Sequence, residues 1–168
     1  MPRSFDLATE YRSSVEKVLG AFRDKQYWLA RLADSGADEA RLDSLELGAD
    51  GGVDIVTTQV IRASQLPGLV SQFHRGDLEI QREESWTPLT DGRANAVITG
   101  SIAGAPVSVT GHAELTPSDT GARLTFHADV AVRVPLVGGK LEGFIGNQLV
   151  ELLKTEQRFT TGWIDGKN

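Results

Sequence analysis

Residues able to do chemistry are few in this chain, and they gather in two places. His112 and His127 stand on consecutive strand-like runs, beside Thr110, Glu114 and Asp129 on the same polar face. Two imidazoles and a carboxylate can hold zinc. A metal site needs a further ligand at a fixed spacing, and no motif supplies one. The expectation there is a solvated or partner-facing strand surface, with no metal and no cofactor. The second place is apolar. Arg82 and Glu84 share one face of a run with Ile80 and Trp86, and Glu156 interrupts an apolar helical stripe that Gln148 borders. Buried charges are costly unless paired, and an Arg82–Glu156 or Arg82–Glu84 pair would satisfy them. A carboxyl raised in pKa by burial at Glu84 or Glu156 would suit acid–base chemistry. The plainer expectation is a helix end that runs past the sheet, with Glu156 solvated and Arg82 at an exposed edge.

Other chemistries are excluded or unsupported. The 168 residues include no cysteine, which removes disulfides, thiolate metal sites and cysteine nucleophiles. No dinucleotide-binding, Walker, zinc-protease, EF-hand or serine-hydrolase motif stands in a useful context. Gly100-Ser101-Ile102-Ala103-Gly104 has glycine and serine on a strand rather than at a nucleophile elbow. The net charge of −6, with no run of Lys or Arg, argues against nucleic acid as a partner. The first residues lack an apolar core of signal-peptide length, and no apolar run is long enough for stable membrane insertion. The expectation is one cytoplasmic domain over 1–168, since no linker, low-complexity tract or repeat divides the chain.

The elements that must position these groups are legible from periodicity. Residues 4–11 alternate, with Phe5, Leu7, Thr9 and Tyr11 on one face. Ser13 and Glu16 read as a capping box for a helix carrying Val15, Val18, Leu19 and Phe22. Asp24 caps a second short helix with Tyr27, Trp28, Leu29 and Leu32, ended by Gly36. Strands are predicted over 40–48 and 53–62, around a turn at 49–52. Residues 69–73 read as a short helix or loop, and residues 78–87 as a strand. Asp91-Gly92 is a hairpin turn, yet a strict two-residue loop would set Trp86 against Val97, on the wrong face, so a bulge or longer loop is expected. Gly104-Ala105 pairs Gly100 with Val109 and Ile98 with Gly111. The turn at 118–121 pairs Val109 with Val130, Gly111 with Ala128 and Ala113 with Phe126. Both registers put the apolar residues on one face.

Small residues gather on that face, in the row Ile98–Gly111–Ala128, where a core would carry large ones. Either the helix packs tightly there or the space takes a ligand. The long helix predicted from Val137 to about Trp163 lays Leu141, Ile145, Leu149, Leu152, Phe159 and Trp163 along one stripe. Lys140, Asn147, Glu151, Lys154 and Arg158 form the wet face. Gly139, Gly143 and Gly146 flank its first half, which reads as close helix–sheet contact or as a loosely held start that opens.

This order is α+β. The chain resembles the helix-grip fold of the START-like, or SRPBCC, superfamily, which includes the birch-pollen-allergen-like lipid binders. It is more closely similar to an actinobacterial family of that superfamily labelled a domain of unknown function. The resemblance rests on Leu66-Pro67-Gly68, Trp86, Gly104-Ala105-Pro106-Val107-Ser108-Val109-Thr110-Gly111 and Val134-Pro135-Leu136-Val137-Gly138-Gly139-Lys140-Leu141-Glu142. It implies a curved antiparallel sheet wrapped around the C-terminal helix, two short helices after the first strand, and a groove suited to hydrophobic molecules. It transfers no catalytic residue.

The expected function is binding or carriage of an apolar small molecule, lipid or polyketide-like, between sheet and helix. The anchors are Arg82, Glu84 and Glu156. The walls are Trp86, Ile98, Val109, Phe126, Val130, Ile145, Leu149 and Leu152, with Gly111 and Ala128 as the small row. A cyclase or dehydratase using a groove carboxylate, and an interaction module such as a homodimer, are the alternatives.

Overall fold

The computed structural model describes residues 2–71 and 74–166. Strand β1 (Arg3–Tyr11) is followed by helices α1 (Val15–Phe22) and α2 (Lys25–Ala33). Strands β2 (Glu39–Leu47) and β3 (Val53–Ile61) come next, then a 3₁₀ turn at Ala63–Gln65 and the one-turn helix α3 (Gly68–Ser71). Strands β4 (Leu78–Trp86), β5 (Ala94–Ile102), β6 (Val107–Ser118) and β7 (Gly121–Val132) complete the sheet, and α4 (Gly138–Gly166) closes the chain. The expected short helix at 69–73 is present up to Ser71; Gln72 and Phe73 lie outside the described residues.

All seven strands pair antiparallel in the order β1-β7-β6-β5-β4-β3-β2. The sheet curves about the long helix, so the architecture is the helix-grip α+β fold expected. The two predicted registers hold pair for pair: Gly100 faces Val109, Ile98 faces Gly111, Val109 faces Val130 and Gly111 faces Ala128. The hairpin at Asp91-Gly92 resolves as the sequence requires. Asp91 and Gly92 both take positive φ, 52° and 75°, and a bridge joins Thr90 to Arg93. That two-residue turn is followed by a one-residue slip, so Trp86 pairs with Ala96 and stays on the inner face.

One expectation moves by a residue. Ser14, not Ser13, caps α1, its Oγ accepting from Lys17 N at 3.2 Å. Adjacent serines offer the same chemistry, and the one whose backbone is extended at the helix start takes the role. Asp24 caps α2 as predicted, accepting from Gln26 N at 2.9 Å.

The β6–β7 turn tucks beneath the link from β1 to α1. Gly121 has φ +146°, and a Cβ there would lie 2.6 Å from the carbonyl oxygens of Tyr11 and Ser13. These are backbone atoms that cannot swing aside. Gly121→Ala is expected to cost about 2 kcal/mol, read from a chemical denaturation midpoint; an unchanged midpoint would contradict this packing.

Helix α4 lies along β1 and β7. Its glycines make the close approach: side chains at Gly143 and Gly146 would overlap the Arg3 guanidinium and the Phe5 ring. Close contact, rather than a loose helix start, is therefore what these two positions provide, while Gly139 meets nothing nearby. Farther along, Gln157 Nε2 donates to Glu10 O at 2.6 Å, and Arg12 pairs with Asp165 at 2.8 Å. The helix is rotated from the expected stripe. Leu141 is buried, but so are Leu153, Thr160 and Ile164, whereas Ile145, Leu149, Leu152, Phe159 and Trp163 are half-buried. Gln148 is exposed, as are Lys140, Asn147, Glu151, Lys154 and Arg158. A helical wheel ranks residues by angle; the glycine contact with β1 decides which angle is covered.

Candidate functional site

The inner face of the sheet can be read as cross-strand rows. One row is Thr57, Arg82, Gly100, Val109, Val130 and Arg3. The next is Ile55, Glu84, Ile98, Gly111, Ala128 and Phe5. A third carries Val53, Trp86, Ala96, Ala113, Phe126 and Leu7. Arg82 and Glu84 thus stand in adjacent rows on β4, with Thr57 beside Arg82 on β3 and Arg3 at the far, β1 end of the first row.

Both expected pairs form, and they form together. Arg82 Nη1 donates to Glu156 Oε2 at 2.8 Å and to Oε1 at 3.1 Å, while its Nε lies 3.0 Å from Glu84 Oε2. That Nε–Oε2 approach is an ion pair without an aligned hydrogen bond. The solvated Glu156 and exposed-edge Arg82 of the plainer expectation are corrected: their side chains are only 14% and 18% accessible. The reason is a residue that periodicity did not single out. Arg31, on α2, pairs with Glu156 from the other side, so the carboxylate sits between two guanidiniums. Arg31 also stacks over the Trp28 ring at 4.5 Å and donates to Tyr27 Oη at 3.2 Å. Tyr27 Oη in turn lies 2.6 Å from Thr160 Oγ1, and Trp86 Nε1 donates to Glu84 Oε1 at 3.3 Å. The signal for Arg31 was its spacing, three and four residues after Trp28 and Tyr27, on the buried side of α2.

The electrostatics follow from this geometry. Burial alone raises the Glu156 carboxyl, but Arg31 and Arg82 outweigh it and hold the group at about 2, below the ordinary 4.5. Burial likewise lowers Arg31 and Arg82, and Glu156 reverses both, leaving each guanidinium raised. The raised carboxyl expected for an acid catalyst is therefore not found at Glu156. Because its folded-state pKa is depressed, the pairing stabilises the fold fully above pH 4.5, and that contribution is lost as pH falls toward about 2. Unfolding midpoints are expected to drop across that window, with the slope reduced in Glu156→Gln; a flat profile would contradict the pairing.

The remaining expected site residues divide into covered and open groups. Phe22, Tyr27, Trp28, Trp86, Phe159 and Trp163 form one aromatic cluster, with Phe22 and Trp86 centroids 5.1 Å apart. This cluster fills the α1–α2 end. In the small row, Gly111 and Ala128 are buried, and the Phe126 ring occupies the space where a Gly111 side chain would stand. Ile98, Phe126 and Val130 are buried as well. Val109, Ile145, Leu149 and Leu152 are half-buried instead, with Ile80 and Ile102. At Gly100 an added Cβ would meet nothing closer than Val109 Cβ at 3.5 Å. Against the ion cluster, Trp28, Arg31, Thr57, Arg82, Leu152 and Glu156 line a cavity of about 30 Å³, room for a water molecule rather than a ligand.

On the outer face His112 and His127 are cross-strand partners, as the register predicted. His127 Nδ1 lies 2.7 Å from Asp6 Oδ1, and its Nε2 3.4 Å from Asp129 Oδ1. The hydrogen bond to Asp6 raises the imidazole above its ordinary pKa. Among the described residues no three His, Asp or Glu side chains converge as metal ligands.

Sequence comparison places these features. The model of "Protein of unknown function (DUF2505)" matches residues 6–164. The chain belongs to the DUF2505 family. The uncharacterized protein Rv0481c of Mycobacterium tuberculosis is 49% identical to this DUF2505 chain over 170 residues and 98% of each sequence. Solved structures share the DUF2505 fold at low identity. TTHA0849 from Thermus thermophilus has a TM-score of 0.60 at 15% identity, over 99% of both chains. Ara h 8.0201 has a TM-score of 0.58 at 8% identity, over 99% of both chains. A START superfamily protein from Mycobacterium smegmatis has a TM-score of 0.55 at 10% identity, over 98% of this chain and 99% of that one. The DUF2505 fold is thus START-like, as the residues of the sequence suggested.

Proposed function

We propose that the protein binds or carries an apolar small molecule in the groove between the inner sheet face and the first half of α4. The observation that carries this reading is a set of inward-facing aliphatics left half-exposed. Ile80, Ile102 and Val109 on the sheet, and Ile145, Leu149 and Leu152 on α4, lie where a closed core would cover them. Inner faces of sheets packed by helices bury such side chains at roughly 25 cal/mol per Å², so leaving six partly wet is a standing cost that a guest would relieve. Gly100 keeps the sheet wall low between them. The ion cluster of Arg31, Arg82, Glu84 and Glu156 borders the groove and sums to zero charge, a polar anchor of the kind that orients ligands in apolar sites.

The START-like fold supports this reading. So does the filling of the small row by Phe126, which moves the guest from the Gly111 region toward Gly100. An acid–base enzyme finds its carboxylates beside Arg82, as it requires, but Glu156 held at about 2 is ionised at neutral pH and has no proton to give. For a homodimer, edge strand β2 is an unpromising seam, since Glu39, Arg41, Asp43 and Glu46 set charges along it. Native mass spectrometry of protein purified from its own host, followed by organic extraction, tests the carrier reading. A stoichiometric apolar mass adduct is expected; protein that leaves its host empty and takes up no apolar fluorescent probe would overturn it.

A further inference from the structure

The ion cluster leaves donors unused and acceptors filled. Glu156 Oε1 lies between Arg31 Nη2 and Arg82 Nη1, and Glu156 Oε2 accepts from Arg82 Nη1 at 2.8 Å. Glu84 Oε1 accepts from Trp86 Nε1 at 3.3 Å, and Glu84 Oε2 faces Arg82 Nε at 3.0 Å. Every carboxylate oxygen of the cluster therefore has a donor before it. The guanidinium of Arg82 is not used up in the same way. Its Nε is buried with no aligned acceptor, and its Nη2 meets none among the described residues. Buried Thr57 stands beside Arg82 in the cross-strand row and adds a hydroxyl. A guanidinium only donates, so what this place lacks is an acceptor.

Charge limits what that acceptor can be. Arg31 and Arg82 are each attracted by Glu156 and Glu84, and Glu156 by both guanidiniums, so two cations balance two anions. The one further charge among the described residues lining the cavity is another acid, Asp34, exposed at the C-cap of α2. Arg3, the other cation of the row, is exposed at the β1 end, four strands away. An entering carboxylate would add an anion where the cations are already balanced, and burial makes that costly. An ammonium would face the guanidinium with no lone pair to offer. An uncharged oxygen meets both conditions. The cavity against these groups, about 30 Å³, takes a single oxygen rather than a ring or a chain. Leu152 and Arg82 line it, and both also border the groove, Arg82 as the cross-strand neighbour of Gly100.

We propose that the groove selects an apolar molecule ending in an uncharged oxygen acceptor, a hydroxyl, ketone or ester, which takes the free N–H groups of Arg82 while its chain runs past Gly100 and Leu152. The carboxylate and ammonium counterparts of the same chain are turned away. Arg82 standing alone would favour the carboxylate; Glu84 and Glu156 cancel that preference and leave hydrogen bonding to decide. This selectivity rests on the carrier reading, and the two fail differently: a groove that takes every chain end alike is still a carrier.

The test is displacement of an uncharged apolar fluorescent probe from the full chain by decan-1-ol, decan-2-one, decanoate and decylamine at about pH 7.5. The alcohol and the ketone are expected to bind about tenfold or more tighter than the two charged chains. Glu84→Gln leaves the cluster with a net positive charge. It is expected to move the charged chains in opposite directions, decanoate tightening about tenfold relative to decan-1-ol and decylamine weakening. A purely structural role for Glu84 would shift both the same way. The native chain gives a readout that needs no substitution. Decanoate binding is expected to strengthen about tenfold per pH unit from about pH 7.5 to about pH 5.5, as its protonated, uncharged fraction grows, while decan-1-ol binding stays level. Glu156, held at about 2, stays ionised over that range, and no histidine lines the cavity. Decanoate that matches decan-1-ol in the native chain, or whose affinity ignores pH, would overturn the selectivity and leave the carrier reading standing. So would a ratio of the two that Glu84→Gln does not move. Failure of the probe and all four chains to bind would overturn both.

Discussion

Glu156→Ala is expected to lower the free energy of unfolding by about 3–5 kcal/mol, the range for removing one member of a buried ion pair. The carboxylate stands between Arg31 and Arg82, and both guanidiniums are largely buried. Without it Arg82 retains Glu84 directly, whereas Arg31 retains the Tyr27 hydroxyl, the faces of Tyr27 and Trp28, and only the longer-range attraction of Glu84. The loss therefore reflects two buried cations left to share one carboxylate rather than the net value of the pair. That distinction is measurable. Replacing the four charges together by Arg31→Met, Arg82→Met, Glu84→Leu and Glu156→Leu is expected to recover most of the stability, since apolar residues of similar volume often match a buried ion network. Urea unfolding read by tryptophan fluorescence suits both variants, as Trp28 and Trp86 flank the cluster. A cost below about 1 kcal/mol for Glu156→Ala would mean that water screens the pair as at a surface.

This cluster also marks the limit of what the chain reveals by itself. Arg82 and Glu84 share a strand face, so alternation alone brought them together, and the helical wheel brought Glu156 to the same side. Arg31 lies 125 residues from Glu156 in the chain, and no period links them. Which partner a buried charge finds depends on how α2 packs against β2 and α4, which is tertiary information. Register behaved differently. Gly104-Ala105 and the 118–121 turn fix pairings by local chemistry, and the alternation of the flanking strands fixes them a second time. Two independent constraints left one register, and every predicted pair from Gly100–Val109 to Ala113–Phe126 is found.

The helix shows the intermediate case. Its polar face was set by Lys140, Asn147, Glu151, Lys154 and Arg158, all exposed as expected. Its contact face was not, because Gly143 and Gly146 carry no side chain to register on a hydrophobic scale. They define the contact through absence, letting Arg3 and Phe5 approach the helix backbone. The same ambiguity attended the small row. A glycine facing a core can mean a guest or a neighbour's ring, and only packing distinguishes Gly111, filled by Phe126, from Gly100, which is not.

That contrast yields a decisive substitution for the carrier reading. Gly100→Phe should keep the fold and lose the guest. The nearest atom to an added Cβ is Val109 Cβ at 3.5 Å, ordinary contact, and an aromatic residue suits a strand better than glycine does. The ring would enter the space between Arg82 on one side and Val109 on the other, its neighbours in the same cross-strand row. A guest sharing that space would lose its contacts with Ile80, Ile102 and Leu149 together. Affinity for an apolar fluorescent probe is expected to fall about a hundredfold, near the upper range of a 1–3 kcal/mol overpacking cost. The thermal midpoint should be unchanged or higher. Gly111→Ala serves as the contrast: its Cβ would lie 2.7 Å from the Phe126 ring, so it should cost stability and leave probe affinity nearly intact. If Gly100→Phe folds normally and binds the probe as the native chain does, the half-exposed aliphatics are not the binding wall, and the carrier reading loses the observation on which it rests.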